Sequence, residues 1–223
     1  VETLNVNEAI AGLQIVGRQM IEDDLVWGNA GNISMRIGPE RFLITASGSS
    51  LGSLEKDDLI ECSLSGEPVN LHGRKPSKEV SMHAAVYRRR PDVGTVLHAH
   101  PFYGLIMACS KDDVPRNWFV ENMYYQERVA RVSYFHPGST ALATAVEEKI
   151  TLANLLIMEN HGILACDVNS KEAYLALHSL EIVSKMYVTS NAAGISIPGL
   201  SEELVREFLE ESNYKPRREW PSS

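Results

Sequence analysis

Apolar positions along this chain switch repeatedly between a spacing of two and a spacing of three to four. From Asn7 to Asp24, Ile10, Leu13, Ile15, Val16 and Met20 recur at mostly helical intervals, with Asn7 as a candidate N-cap. The turn-rich stretch Trp27-Gly28-Asn29-Ala30-Gly31-Asn32-Ile33-Ser34 leads into a short strand. Phe42–Thr45 and Leu59–Ser63 read as strands, separated by a loop of small hydroxyls and glycines from Ala46 to Gly52. Gly66-Glu67-Pro68 is a turn. Pro76–Glu79 opens a helix that continues through Met82, Ala85, Val86 and Tyr87 to Pro91, and a strand over 93–98 follows. A further helix starts near Pro101, where proline suits the first turn. Residues 111–125 read as irregular and rich in Trp, Phe and Tyr. Val129–Tyr134 is a strand, Gly138–Lys149 a helix capped by Ser139, and 154–158 and 163–166 are strands. Ser170 caps a long helix from Lys171 to about Asn191. Ser201–Glu211 is an amphipathic helix, trailed by a polar tail with Tyr214 and Trp220. Strands and helices alternate with no linker, repeat or low-complexity stretch, which predicts one α/β domain over 1–223.

Composition narrows the function classes. A chain of 223 residues buries roughly 70–75% of its unfolded surface and needs no staples. A net charge of −8 with both signs interspersed disfavours nucleic acid or an anionic membrane surface as partner. Cys62, Cys109 and Cys166 are odd in number, far apart and set among apolar residues, so they read as buried thiols in a reducing compartment. No apolar run approaches the ~18 residues of a membrane span. The opening stretch, with Glu2, Asn5 and Glu8, lacks a secretory pattern. A cytoplasmic residence is the expectation.

The chemistry concentrates at two strand ends. In Val96-Leu97-His98-Ala99-His100-Pro101 the histidines stand at i and i+2, so both imidazoles project from one face. A catalytic zinc-type site uses three protein ligands and keeps one position open, and Glu159-Asn160-His161-Gly162 supplies a third imidazole. Taken alone, His-x-His is as often an ordinary hydrogen-bonding pair. His72, His83, His136 and His178 lack such context and read as structural, His83 as a surface pair with Glu79 one turn away. Glu79 has two readings: a carboxylate at the positive end of a helix capped by Ser77, or a general acid/base beside the metal. The Gly31–Ser34 and Thr45–Ser50 loops and the turn at Ser77 offer backbone N–H groups and hydroxyls of the kind that cradle phosphate. Lys78 would add positive charge there. Arg88-Arg89-Arg90 reads as a solvated helix C-terminus.

Together these pieces resemble the class II aldolase/adducin family. The resemblance is carried by Gly31-Asn32-x-Ser34, Thr45-x-Ser47-Gly48, Pro76-Ser77-x-Glu79, His98-x-His100 and Asn160-His161-Gly162, in the family's order and spacing across nearly the whole chain. It implies a mixed central β-sheet flanked by helices and a homotetramer with interfacial active sites. It also implies a divalent metal, Zn2+ or sometimes Mn2+, on His98, His100 and His161, with Glu79 as acid/base. Asn32, Ser47, Gly48 and Ser77 would hold a substrate phosphate. Pro76-Ser77-Lys78-Glu79, Ser49-Ser50-x-Gly52-x-Leu54, Tyr87–Asp92 and Pro137-Gly138 are most similar to the 3-oxo-tetronate 4-phosphate decarboxylase branch. That implies a carbon–carbon lyase working through a metal-stabilised enediolate on a small phosphorylated sugar acid. A fuculose-phosphate-type aldolase is the alternative, and a non-catalytic adducin-like scaffold a second. The match fades between Arg116 and Arg131, where Phe119 falls at the place of the aldolases' catalytic tyrosine. Tyr124 or Tyr125 are the candidate substitutes.

Overall fold

The computed structural model describes residues 5–70, 73–218 and 220; His72 lies outside them. Seven strands, β1 (Asn32–Arg36), β2 (Arg41–Thr45), β3 (Leu59–Ser63), β4 (Thr95–Ala99), β5 (Val129–Val132), β6 (Leu155–Met158) and β7 (Gly162–Asp167), form one sheet. Its order is β3-β2-β1-β4-β7-β6-β5, antiparallel throughout except for the β5–β6 pair. The mixed sheet of a single α/β domain is therefore observed.

Alternating side chains divide the core into two layers, one per sheet face. On one face Ile33, Met35, Leu43, Leu97, Ala99, Leu155, Ile157, Ile163 and Ala165 pack against helices α1 (Val6–Glu22), α3 (Phe102–Cys109), α4 (Val120–Tyr125) and α6 (Ser170–Ala192). On the other, Phe42, Ile44, Val96, Leu156, Met158, Leu164 and Cys166 meet α2 (Val80–Arg89) and α5 (Thr140–Lys149). With both faces covered, the strands read as near-continuous apolar runs. The last helix, α7 (Glu202–Glu211), starts at Ser201, whose hydroxyl accepts from Leu204 N–H. Among the described residues no helix is long and apolar enough to cross a membrane.

Several local expectations are corrected. The first helix is capped by Asn5, whose side chain accepts from Glu8 N–H while Glu8 reaches back to Asn5 N–H, each at 3.0 Å. Asn169, not Ser170, caps α6 through Glu172 N–H at 2.9 Å. Residues 120–125 form a helical turn and a half where an irregular stretch was expected. Their aromatic density hid the period, and Asn122, Met123, Tyr124 and Tyr125 are all buried. The second helix begins at Val80, because Pro76 and Ser77 stay extended against Ala46 and Thr45; Ser77 N–H donates to Thr45 O at 3.0 Å. Cys62 and Cys166 are buried but Cys109 is exposed. Arg90 is not solvated: it is buried and donates to Ile150 O, Asn154 Oδ1 and both oxygens of Asp92.

Candidate active site

The fourth strand is the hinge of the site. Val96 and His98 face the α2 layer while Leu97 and Ala99 face the other, so strand alternation aims His98 at the helix that Glu79 begins. In the β1–β4 ladder His98 stands opposite Asn32, and in the β4–β7 ladder Ala99 stands opposite Ile163. The tight turn from β6 to β7 carries His161, with Asn160 at φ +53°, a conformation asparagine tolerates. The two His-bearing segments, 61 residues apart from His100 to His161, thus meet at the adjoining ends of neighbouring strands β4 and β7.

His98, His100 and His161 each bring one ring nitrogen into a group whose members lie within 4.8 Å of one another. His98 is fully buried, and its Nδ1–H donates to Ile163 O at 3.0 Å. This leaves the Nε2 lone pair pointing inward, 3.0 Å from His100 Nε2. Backbone bonding of the outer nitrogen is how metal-binding imidazoles have their tautomer set. Gly31, at φ +82°, lets the loop pass close beneath; a Cβ there would sit 2.6 Å from His98 O.

The Glu79 carboxylate closes the group. Its Oε2 lies 3.3 Å from His98 Nε2 and its Oε1 3.1 Å from His161 Nε2. Glu79 stands at the start of α2, where Ser77 Oγ accepts from its N–H as the capping reading expects, while its carboxylate turns to the imidazoles. Burial pushes the Glu79 carboxyl up, but His98, His161 and the Asn32 amide outweigh that and hold it well below the usual carboxylate range. Burial pushes the His100 imidazole down to about 3, with His98 and His161 adding to the effect. Burial also lowers His98, against the pull of Glu79. Two buried atoms here, Glu79 Oε1 and His161 Nδ1, lack a hydrogen-bond partner. Three inward nitrogens, an ionised carboxylate and unmet polar atoms fit a divalent cation.

The candidate phosphate residues divide. Asn32 and Ser77 are buried beside Glu79: Asn32 Nδ2–H donates to Glu79 Oε2 at 2.8 Å, and Ser77 Oγ accepts from Glu79 N–H at 3.2 Å. Ser47 and Gly48 lie exposed on the neighbouring loop, tied to the Pro76 segment by Ser47 N–H donating to Lys75 O. Lys78 is exposed. Asn32 uses one N–H of its amide on Glu79 and its Oδ1 on His83, which leaves the second N–H for a phosphate oxygen without release of either neighbour.

Comparison with known proteins decides the family. Residues 12–188 match the class II aldolase and adducin N-terminal domain. The chain belongs to the class II aldolase and adducin family. Within it, the 3-oxo-tetronate 4-phosphate decarboxylase of Haemophilus influenzae is 31% identical over 179 residues, covering 78% of this chain and 84% of its own. The L-fuculose phosphate aldolase of Methanococcus maripaludis is 32% identical over 175 residues, covering 78% and 93%. The crystal structure of YgbL from Klebsiella pneumoniae superposes with a TM-score of 0.83 at 26% identity, covering 92% of this chain and 99% of that one. One of these relatives is named as a decarboxylase and the other as an aldolase. Their near-equal identity leaves the choice between those activities to chemistry.

Two features of this family member escape a motif reading. His83, expected as a surface partner of Glu79, is fully buried and bonded to Asn32 and Ser34 instead. Its signal was nonetheless in the sequence: Glu79, His83 and Tyr87 recur every four residues on one helix face, opposite Asn32 and Ser34 on one strand face. The tyrosines form the second feature. Phe119 is half-buried against the core, and Tyr124 and Tyr125 bond to Pro216 O and Glu172. The tail holding Arg218 to Asp167 and Tyr214 beside Tyr124 docks at the Asp167 end of β7, opposite His161.

Proposed function

We propose that this chain is a divalent-metal-dependent carbon–carbon lyase, with His98, His100 and His161 holding the metal and Glu79 moving the proton. The observation that carries it is the convergence of Glu79 on the three imidazoles, within 3.3 Å of two of them. A bound Zn2+ or Mn2+ supplies Lewis acidity for the negative charge that bond scission leaves. Zinc is the first choice for an all-imidazole set, though imidazole suits several metals. Glu79, ionised and sheltered from water, is placed to take the proton of a substrate hydroxyl and return one to carbon once the bond has broken. Ser47, Gly48, Ser77 and Lys78 are the proposed anchors for a substrate phosphate, with Asn32 at their inner edge.

The reaction we favour is decarboxylation of a small phosphorylated 3-oxo sugar acid, of the 3-oxo-tetronate 4-phosphate kind. There the carboxylate leaves as CO2, the electron pair stays on the substrate's oxo-hydroxy unit, and one proton is delivered to carbon. Aldol cleavage needs one further group to manage the hydroxyl of the departing aldehyde. The phenol-free Phe119 and the engaged Tyr124 and Tyr125 support the simpler reaction. A fuculose-phosphate-type aldolase is the second reading, and a non-catalytic scaffold has no use for an ionised buried carboxylate among three imidazoles.

We further propose a cytoplasmic homotetramer with active sites at subunit interfaces. Phe102, two residues past His100 and 66% exposed, together with Ile106 and Ile182, offers apolar surface beside the site for such a contact. Incubating the metal-loaded protein with 3-oxo-tetronate 4-phosphate and with fuculose 1-phosphate tests the reaction. CO2 release supports decarboxylation, aldehyde release supports aldol cleavage, and turnover undiminished after metal removal refutes both.

A further inference from the structure

Behind Glu79 runs a buried chain of hydrogen bonds that nothing in the metal site itself requires. Asn32 Nδ2–H donates to Glu79 Oε2 at 2.8 Å. On its other side Asn32 Oδ1 stands 2.6 Å from His83 Nε2, His83 Nδ1 stands 2.7 Å from Ser34 Oγ, and Ser34 Oγ stands 2.9 Å from Tyr87 Oη. His83 and Ser34 are fully buried, Tyr87 almost so, and Asn32 nearly.

Only one placement of protons satisfies the chain. An amide oxygen can only accept, so His83 must carry its proton on Nε2. Burial keeps this imidazole neutral, pushing it down to about 3, so Nδ1 is an acceptor and Ser34 O–H must donate to it. The Ser34 oxygen is then left to accept from Tyr87 O–H. Donation runs in one direction, from Tyr87 through Ser34, His83 and Asn32 to the carboxylate. On its own an asparagine amide has two nearly equivalent orientations. With His83 donating to the oxygen, the NH2 end is locked toward Glu79. Reversed, an amide oxygen would face a carboxylate oxygen across 2.8 Å.

We propose that His83 is a positioning residue for Glu79: it sets the Asn32 amide, which anchors Oε2 and leaves Oε1 as the oxygen that exchanges the proton. Oε1 takes no bond from the Asn32–His83 chain and faces the inner side of the histidine group, 3.1 Å from His161 Nε2, where a reacting proton would be exchanged. Ser34 and Tyr87 serve one link further back, by satisfying His83 Nδ1. Fully satisfied buried networks of this kind specify one geometry, and a general base gains from being held in one.

This inference rests on Glu79 being the acid/base, so its test has one arm that does not need turnover. In the protein labelled with 15N-histidine, His83 should show the Nε2–H tautomer, and Ser34→Ala, which removes the donor to Nδ1, should move the Nδ1 resonance of His83 while Nε2 keeps its proton. An Nδ1–H tautomer in the unmodified protein overturns the proposal, whatever the substrate is. In the second arm, turnover is measured on 3-oxo-tetronate 4-phosphate or fuculose 1-phosphate, whichever is consumed. His83→Leu should lower kcat at least tenfold with KM within threefold and metal content unchanged. His83→Gln, which keeps a donor at the Nε2 position, should recover most of it. Placed in a Glu79→Gln background, His83→Leu should cost nothing further. Equal kcat losses for the Leu and Gln variants, or losses that add to Glu79→Gln, would make His83 a packing residue only. If His83→Leu does not fold, Ser34→Ala carries the same kcat test, with a severalfold loss expected and an unchanged kcat counting against the proposal. If the unmodified protein consumes neither compound, the reading of its reaction fails while the tautomer result stands by itself.

Discussion

Gly162 lies so close to the ring of His100 that a Cβ in its place would sit 2.5 Å from Cδ2 and 2.7 Å from Ala99 O. The strand that follows His161 therefore supports His100 from below, and the two halves of the histidine group are coupled through a residue with no side chain. Contact at this distance cannot be relieved by a rotamer change, because one of the two atoms is backbone.

Gly162→Ala should therefore displace His100 and weaken metal binding by roughly 10–100-fold, the range found when support behind a ligand is removed. Titration of the metal-stripped protein with Zn2+, followed by calorimetry, checks this. Unchanged affinity would mean the turn can shift without moving His100.

Metal and proton chemistry should separate by mutation. His100→Ala or EDTA should remove bound metal and activity together. Glu79→Gln should retain metal by elemental analysis and lose at least ~100-fold in turnover. Full activity in Glu79→Gln would return this side chain to a supporting role.

A pH dependence of stability follows from the buried His83. Unfolded, it titrates near 6.5; folded, burial first and His98 second push it down to about 3. Between those values the unfolded chain binds a proton that the folded chain refuses. The stability His83 contributes is thus complete above about pH 6.5 and is lost as pH falls toward 3, at up to about 1.4 kcal/mol per pH unit. Urea unfolding at pH 7 and pH 5 should show the unmodified protein losing roughly 2 kcal/mol more than His83→Gln over that interval. Parallel losses would place the ring in contact with solvent.

Arg90 joins the end of α2 to the β6 approach through Ile150 O at 3.0 Å and Asn154 Oδ1 at 3.1 Å. Arg90→Met keeps the volume but strands those buried acceptors, at a cost of about 2 kcal/mol or more. Chemical denaturation measures it, and an unchanged midpoint would show that water replaces the guanidinium.

The sequence by itself determined much of this protein. Among the described residues, apolar periodicity and turn residues placed the seven strands and six of the seven helices, since burial on both sheet faces writes itself into residue type. The grouping of the three histidines and Glu79 was legible because the proposed metal and proton chemistry admits few side chains, and they stand at strand and helix ends. Tertiary structure decided what those side chains touch. His83 looked like a surface partner of Glu79, and Arg90 like a solvated cation, because spacing along a helix says which residues share a face and not what covers it. The sheet order brought Asn32 beside His98 and laid the Glu79–His83–Tyr87 face over Asn32 and Ser34. Hydrogen-bond direction, amide orientation and the choice between two carboxylate oxygens exist only once distant segments are packed within ångströms of each other.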